Sequence, residues 1–256
     1  MESLSVCLLS LGILCSAGTA AAQPAENVMA VAEKPAVAKP DAEKPDAEKP
    51  AAAKPATSRS ASAVLATVQA FYDGTKDFTA DFKQTYVHPV YATRTVTRGA
   101  MLLKKPGMMV WDYSGAGDPD FYVDGESMWV VEHDTRQVVS QAVGNNSNLA
   151  GAMKFLFGGQ KLIKEFKVRL ANDSLDKRYG IPGHTVIELK PKIKNPHYKT
   201  LLLVVDNRSG RVNAFVVRNR DNSINHFELS KTKLNVGLKA SAFKYKIPAG
   251  YVETKE

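Results

Sequence analysis

Five histidines, at positions 88, 133, 184, 197 and 226, are the residues of this chain best suited to hold a metal or move a proton. No two of them stand at His-x-His or His-Glu-x-x-His spacing, so the sequence builds no local zinc site. The run Glu132-His133-Asp134-Thr135-Arg136 has a catalytic composition, but it falls where a hairpin turn is expected. There is no glycine-rich phosphate loop and no Gly-x-Ser-x-Gly elbow. Both cysteines, Cys7 and Cys15, lie near the N-terminus, so the rest of the chain has no thiol to oxidise or to ligate with. These residues point to a protein that is not an enzyme and that uses neither a metal nor a cofactor.

One ionisable residue is out of place in a different way. In "MLLKKPGMMVWDY" (101–113), Met101, Leu103, Met109, Trp111 and Tyr113 fall on one side at strand period, and Lys105 falls on that side too. Similar rows flank it: Phe78, Ala80 and Phe82 before it, Phe121 and Val123 after it. Such rows are either ordinary core or the wall of a cavity that takes an apolar ligand. Seven methionines, two of them in tandem at 108–109, favour an adaptable wall.

The elements that would position these rows are mostly strands. β-type runs are expected at 78–88, 93–105, 108–114, 119–124, 127–133, 136–142, 164–171, 184–191, 200–206, 211–220 and 223–231. Asp124-Gly125, Asn207 to Gly210 and Asp221-Asn222 mark turns between them. About eleven short strands without βαβ alternation predict one large antiparallel sheet curled into an incompletely closed β-barrel. A barrel of that width has room for an apolar cavity. Two helices are expected. Residues 61–74 place Leu65, Val68 and Phe71 at helical spacing, and 148–157 place Met153, Leu156 and Phe157 on one face. A short helical turn is also expected near 161–165. Helices so short cannot cover both faces of the sheet, but they could plug its mouth.

Upstream, "LSVCLLSLGILC" followed by "SAGTAAAQ" reads as a secretory signal peptide over 1–22, with cleavage after Ala22. Leu14 stands before Cys15 where a lipid-attachment signal would have a small residue. Residues 23–58 carry a proline every five positions from 35 to 55, each preceded by lysine, and no aromatic; this predicts an extended, disordered Ala/Lys/Pro-rich spacer. The folded domain is then 59–256. Removing the −1 of Glu2 and the −1 of the spacer from the chain's +8 leaves this domain at +10. So basic a surface suits an acidic partner: anionic lipid, an acidic protein or nucleic acid. Export makes nucleic acid the poorest fit of the three.

Five stretches, "FTADFKQ" (78–84), "RGAMLLKKPGMMVWDY" (98–113), "DFYVDGESMWVV" (120–131), "FLFGGQKLIKEF" (155–166) and "FKYKIPAGY" (243–251), resemble in order and spacing the LolA family of periplasmic outer-membrane lipoprotein carriers. No single stretch is specific, whereas the ordered set is. The resemblance implies an eleven-stranded, incompletely closed barrel whose cavity takes the acyl chains of lipoproteins. These would come from an inner-membrane ABC transporter of the lipoprotein-releasing type and pass to an outer-membrane lipoprotein receptor. It maps the ligand-binding cavity onto Phe78, Phe82, Met101, Leu103, Met109, Trp111 and Phe121, and the lid onto Leu65, Val68, Phe71, Met153, Leu156 and Phe157. Lys105 becomes the lid latch, donating to carbonyls near Ala150–Phe155 or Leu65–Val68. The family usually has arginine there, with a fixed fork of donors where lysine has a flexible ammonium.

The resemblance further implies a soluble periplasmic monomer. Two alternatives share the fold: a receptor anchored in the outer membrane, and a lipid-sensing periplasmic regulatory module. A lipid-attachment signal would mark the first and a second folded domain the second. A purely structural β-domain would instead have a filled interior.

Overall fold

The computed structural model describes residues 59–115, 117–143 and 161–255. The expectations for the signal peptide, the spacer and the helix carrying Met153, Leu156 and Phe157 lie outside these residues.

Alternation of large apolar and polar residues produces β1 (Asp77–Val87), β2 (Arg94–Lys104), β3 (Met108–Tyr113), β4 (Asp120–Asp124), β5 (Ser127–Glu132) and β6 (Gln137–Ala142). After the second undescribed stretch come β7 (Phe166–Leu170), β8 (His184–Pro191), β9 (Tyr198–Asp206), β10 (Val212–Asn219) and β11 (Ile224–Leu234). Every strand expected from the sequence is present, with ends that differ by a few residues. A further strand, β12 (Val252–Lys255), had no alternating apolar signal and pairs in parallel with β6.

All twelve strands form one sheet in the order β12-β6-β5-β4-β3-β2-β1-β11-β10-β9-β8-β7. The outermost strands, β12 and β7, do not pair with each other, so hydrogen bonds leave the barrel incompletely closed. Long register runs hold the central pairs. β1 matches β2 from Asp77↔Lys104 to Val87↔Arg94, and it matches β11 with a bulge between Thr79 and Asp81.

The two faces are covered separately. On the inner face Phe78, Phe82, Met101, Leu103, Met109, Trp111, Leu201, Leu203, Phe215 and Phe227 form one buried cluster with α1 (Ala61–Asp73). Ser60 caps that helix by accepting from the Ala63 N–H, and Gly74 ends it. On the outer face Val186, Leu202, Val204, Ala214 and Val216 pack with Tyr179. Tyr179 ends α3 (Asp173–Tyr179), a polar-looking helix capped by Asn172 that the sequence pattern did not announce. Between the two lies the short α2 (Leu162–Glu165), at the expected turn.

Two positions expose how tightly these layers fit. Gly99 pairs with Tyr113 across β2–β3 and lies under the Phe82 ring. A Cβ there would come 2.1 Å from the Asp112 carbonyl oxygen and 2.6 Å from that ring. Gly99→Ala is therefore expected to destabilise the fold by about 1–3 kcal/mol, read as a lower urea midpoint.

On the outer face His226 packs edge-on to Tyr179, ring centroids 5.1 Å apart, and its Nε2 has no hydrogen-bond partner among the described residues. Burial, opposed by Glu228, holds its pKa below the ordinary 6.5. The unfolded chain thus takes up the proton more readily than the folded one. Stability is unaffected above about pH 6.5 and falls as pH drops from there through the depressed folded value. His226→Phe is expected to flatten this acid limb, measured by urea unfolding at a series of pH values.

Candidate functional site

The inward rows of β1 to β4 are neighbours by register: Phe78 pairs with Leu103, Ala80 with Met101, Met101 with Trp111, Leu103 with Met109, and Trp111 with Phe121. This brings Phe78, Phe82, Met101, Leu103, Met109 and Trp111 into one patch, each at most 2% exposed. Phe121 is half-buried at its margin. The Phe82 ring contacts Trp111 at 4.7 Å and Tyr113 at 4.8 Å between centroids, and Phe215 stacks on Phe227 at 4.7 Å.

Among the described residues this inner face is apolar and its rings meet one another: Phe82 and Phe227 both contact Trp111.

The helix packed on this face is α1. Val64, Leu65, Val68 and Tyr72 form its buried stripe, and Phe71 lies half-buried beside them, edge-on to Tyr72 at 5.0 Å. The helix runs between two turns on opposite sides of the curl. Near one, Arg59 donates to the Asn207 carbonyl at 2.9 Å and the Tyr72 hydroxyl accepts from the Val212 N–H at 3.4 Å. Gly210, at φ +79°, lets this turn approach: a Cβ would lie 2.6 Å from the Thr67 carbonyl oxygen. Burial pushes the Tyr72 hydroxyl far up from its ordinary pKa, so it stays protonated.

The other end of α1 meets Lys105. Its ammonium donates to the Tyr72 carbonyl, in the last turn of α1. A cation there meets the negative end of the helix dipole and a carbonyl that also accepts from the Thr75 N–H at 3.1 Å. Lys105 N–H also donates to the Lys76 carbonyl at 2.9 Å, fixing the β2–β3 turn against the segment after α1. Half-burial lowers the Lys105 pKa, and the charge of Asp73 opposes that shift. Of the two partner segments expected, Ala150–Phe155 lies outside the described residues. Within α1 the bond goes to Tyr72 and not to Leu65–Val68, whose carbonyls belong to the helix interior, where intrahelical bonds already use them.

Polar residues that pattern reading missed line the same face nearer the β1–β2 hairpin. The Tyr113 hydroxyl donates to Gln84 at 2.7 Å, and the Gln84 amide donates to Asn225 at 2.7 Å. Burial, then the charges of Asp118 and Asp120, push the Tyr113 pKa far up and keep its proton in place. Asp120 accepts from the Tyr113 N–H and pairs with His133 Nε2 at 2.9 Å, while His133 Nδ1 meets the Tyr251 hydroxyl at 3.0 Å. His133 is thus a fastener for the C-terminal segment, with both ring nitrogens occupied. Among the described residues, no three His, Cys, Asp or Glu side chains converge as a metal site.

A curled, unclosed β-sheet whose apolar inner face is packed against a helix is one architecture suited to an apolar ligand. The sequence pattern of the family described as "Outer membrane lipoprotein carrier protein LolA" matches residues 73–246, and the chain belongs to this family. A protein of Cupriavidus necator named outer-membrane lipoprotein carrier protein is 24% identical over 192 residues, covering 74% of this chain and 86% of its own. One of the same name from Chromobacterium violaceum is 29% identical over 116 residues, 45% of this chain and 54% of its own. Among solved structures, a LolA superfamily protein from Nitrosomonas europaea aligns at a TM-score of 0.41 and 12% identity, over 73% of this chain and 99% of that one. A carrier family is not an enzyme family, in keeping with the absence of catalytic motifs in the sequence.

The Lys105 contact predicts a local effect. Lys105→Leu is expected to speed hydrogen exchange at the Gly74 and Thr75 amides, which close the last turn of α1, by about fivefold, a modest factor because the lysine is only half-buried. Lys105→Arg is expected to restore protection. Unchanged exchange in Lys105→Leu would show that the contact holds nothing.

Proposed function

We propose that the protein takes up the acyl chains of lipoproteins against its inner face and carries them across the periplasm. One observation carries this reading: the buried face of Met101, Leu103, Met109 and Trp111 shares one apolar cluster with α1, whose last turn is held by Lys105. Ordinary core does not need a cover fastened by a polar contact at its rim. A carrier does, because its empty interior must close and its loaded one must open.

Magnitudes support hand-to-hand transfer. Two or three chains of about 15 methylenes would cost on the order of 20–35 kcal/mol to expose to water. No cargo leaves into solution, so loading and unloading take place against docked partners. A releasing transporter of the inner membrane and an acceptor at the outer membrane fill those roles. The family membership supports this pairing, and the carrier itself has no need of a nucleotide site.

In this scheme Lys105 sets affinity. While α1 is down, its ammonium is bonded; when cargo lifts α1, that bond is lost and the charge faces an apolar ligand. Lys105 therefore weakens binding enough to permit release. Lys105→Leu is expected to bind lipoprotein tighter by about tenfold, as loss of one hydrogen bond to a charged group implies, and to pass less of it to acceptor membranes. Native mass spectrometry of protein purified from its own periplasm gives occupancy, and transfer of radiolabelled lipoprotein gives release. Wild-type loading and unloading by Lys105→Leu would rule the latch out, and a periplasmic protein never found with acylated cargo would rule out the carrier.

A further inference from the structure

The carrier reading leaves the domain's charge of +10 unexplained, and the exposed residues show where part of it is concentrated. Antiparallel pairing places the ends of Tyr198 and Asn219, of Ile224 and Val87, and of Phe166 and Pro191 at one end of the sheet. The β8–β9 loop and α2 both belong to that end. Ile193, at the tip of the loop, is 87% exposed with Lys192 and Lys194 on either side. Ile163 on α2 is 46% exposed between Lys161 and Lys164. Lys192 donates to the Ile163 carbonyl at 2.9 Å, so loop and helix form one patch. Two bare isoleucines among four lysines offer nothing to a neighbouring part of the chain.

We propose that this patch docks on the surface of a bilayer containing anionic phospholipid. Ile193 enters the headgroup layer, and the lysines on both sides keep their ammonium groups among the phosphates. A protein partner fits the patch less well. The exposed apolar residues of the patch are isoleucines, and Arg220, which reaches this loop, is tied to the Asn195 carbonyl at 2.7 Å rather than offered as the kind of anchor that dominates protein interfaces. The same end of the sheet carries the β1–β2 hairpin tip, with Val90 77% and Tyr91 76% exposed beside Arg94. An aromatic ring with a polar edge there suits the bilayer interface.

Charge also sets the tilt. Across the same end, the β3–β4 and β5–β6 turns bring Asp112, Asp118, Asp120 and Asp134 together. Burial and then their mutual repulsion raise the pKa values of Asp112 and Asp118. An anionic surface repels that side, so the molecule approaches with the β7–β9 side leading. No helix among the described residues is long and apolar enough to cross a membrane, so contact of this kind is peripheral.

The test uses exported protein, purified as the cell processes it, and vesicles without any protein. Flotation is expected to recover it with phosphatidylethanolamine–phosphatidylglycerol vesicles and not with phosphatidylcholine vesicles, less so as salt rises. Ile193→Asp and Lys194→Gln, both at exposed positions that leave the fold intact, are each expected to lower recovery about fivefold. In Ile193→Trp, emission is expected to shift to the blue on adding anionic vesicles. Three results would overturn the proposal: no binding to anionic vesicles at low salt, binding unaffected by both variants, or binding only to membranes that retain protein. The last would assign the patch to an acidic protein partner. The vesicles hold no lipoprotein, so failure here leaves the carrier reading standing, and failure of that reading leaves this one.

Discussion

A sheet of twelve strands that does not close on itself has an apolar face with no second sheet to bury it, and everything else in this fold answers that constraint. A closed barrel would hide its lining by geometry. Here β12 and β7 stay apart, so the inner face depends on curl and on cover. Curl brings Phe82, Trp111, Phe215 and Phe227 together, and α1 roofs what remains. Two turns are shaped to meet α1: one by Gly210, where any side chain would strike Thr67 in mid-helix, the other by Lys105, whose ammonium meets the helix end.

In the proposed carrier a single polar contact would set affinity because cover and cargo are matched where they compete. Four side chains of α1 are buried on the sheet, at roughly 1.5–3 kcal/mol each. About ten of the cargo's methylenes, at ~0.8 kcal/mol each, would offset what lifting α1 exposes. At that place the exchange of helix for lipid is close to balanced in its apolar part, whatever the rest of the cargo gains elsewhere on the inner face. There the Lys105 contact is the polar term that would tip it. Arginine at this position would donate through a rigid fork and hold the helix more firmly; lysine gives a latch with a looser hinge.

What could be read in the sequence followed the visibility of its periods. Strands with large residues on one side, such as Met101-x-Leu103 and Met109-x-Trp111, announce both their conformation and their face. Leu65 and Val68 announced α1, and continuing their spacing by four would have reached Tyr72, the residue that Lys105 holds. Lys105 itself was legible because it interrupts an apolar row; of its two expected partners, the one on α1 was placed a turn too early because helix-interior carbonyls are already bonded, and the other lies outside the described residues. Elements held by other means had no such signal. β12 has four exposed residues and exists through pairing with β6, the Ser140–Glu253 hydrogen bond of 2.6 Å and the His133–Tyr251 contact. α3 is polar except for Leu175 and Tyr179, too few apolar residues to mark a helical face. Gln84, Tyr113 and Asn225 look like ordinary alternation in the sequence, and only the folded register brings them together.

An open sheet has two edges, and unpaired edges invite other strands. The two edges here are blunted rather than sealed. β12 is short and carries Glu253 and Lys255 in the open; β7 places Lys167 and Arg169 outward, the latter paired with Glu188 at 2.6 Å. Charges at the edge oppose strand addition without joining β12 to β7. Were the edges joined, the curl would be fixed by hydrogen bonds and the rings could not part. Leaving the seam unbonded lets the curl widen while each strand keeps its ladder on the inner pairs. Any change of curl would therefore fall on the seam between β12 and β7 and spare the β1–β2–β3 rows, where register is longest.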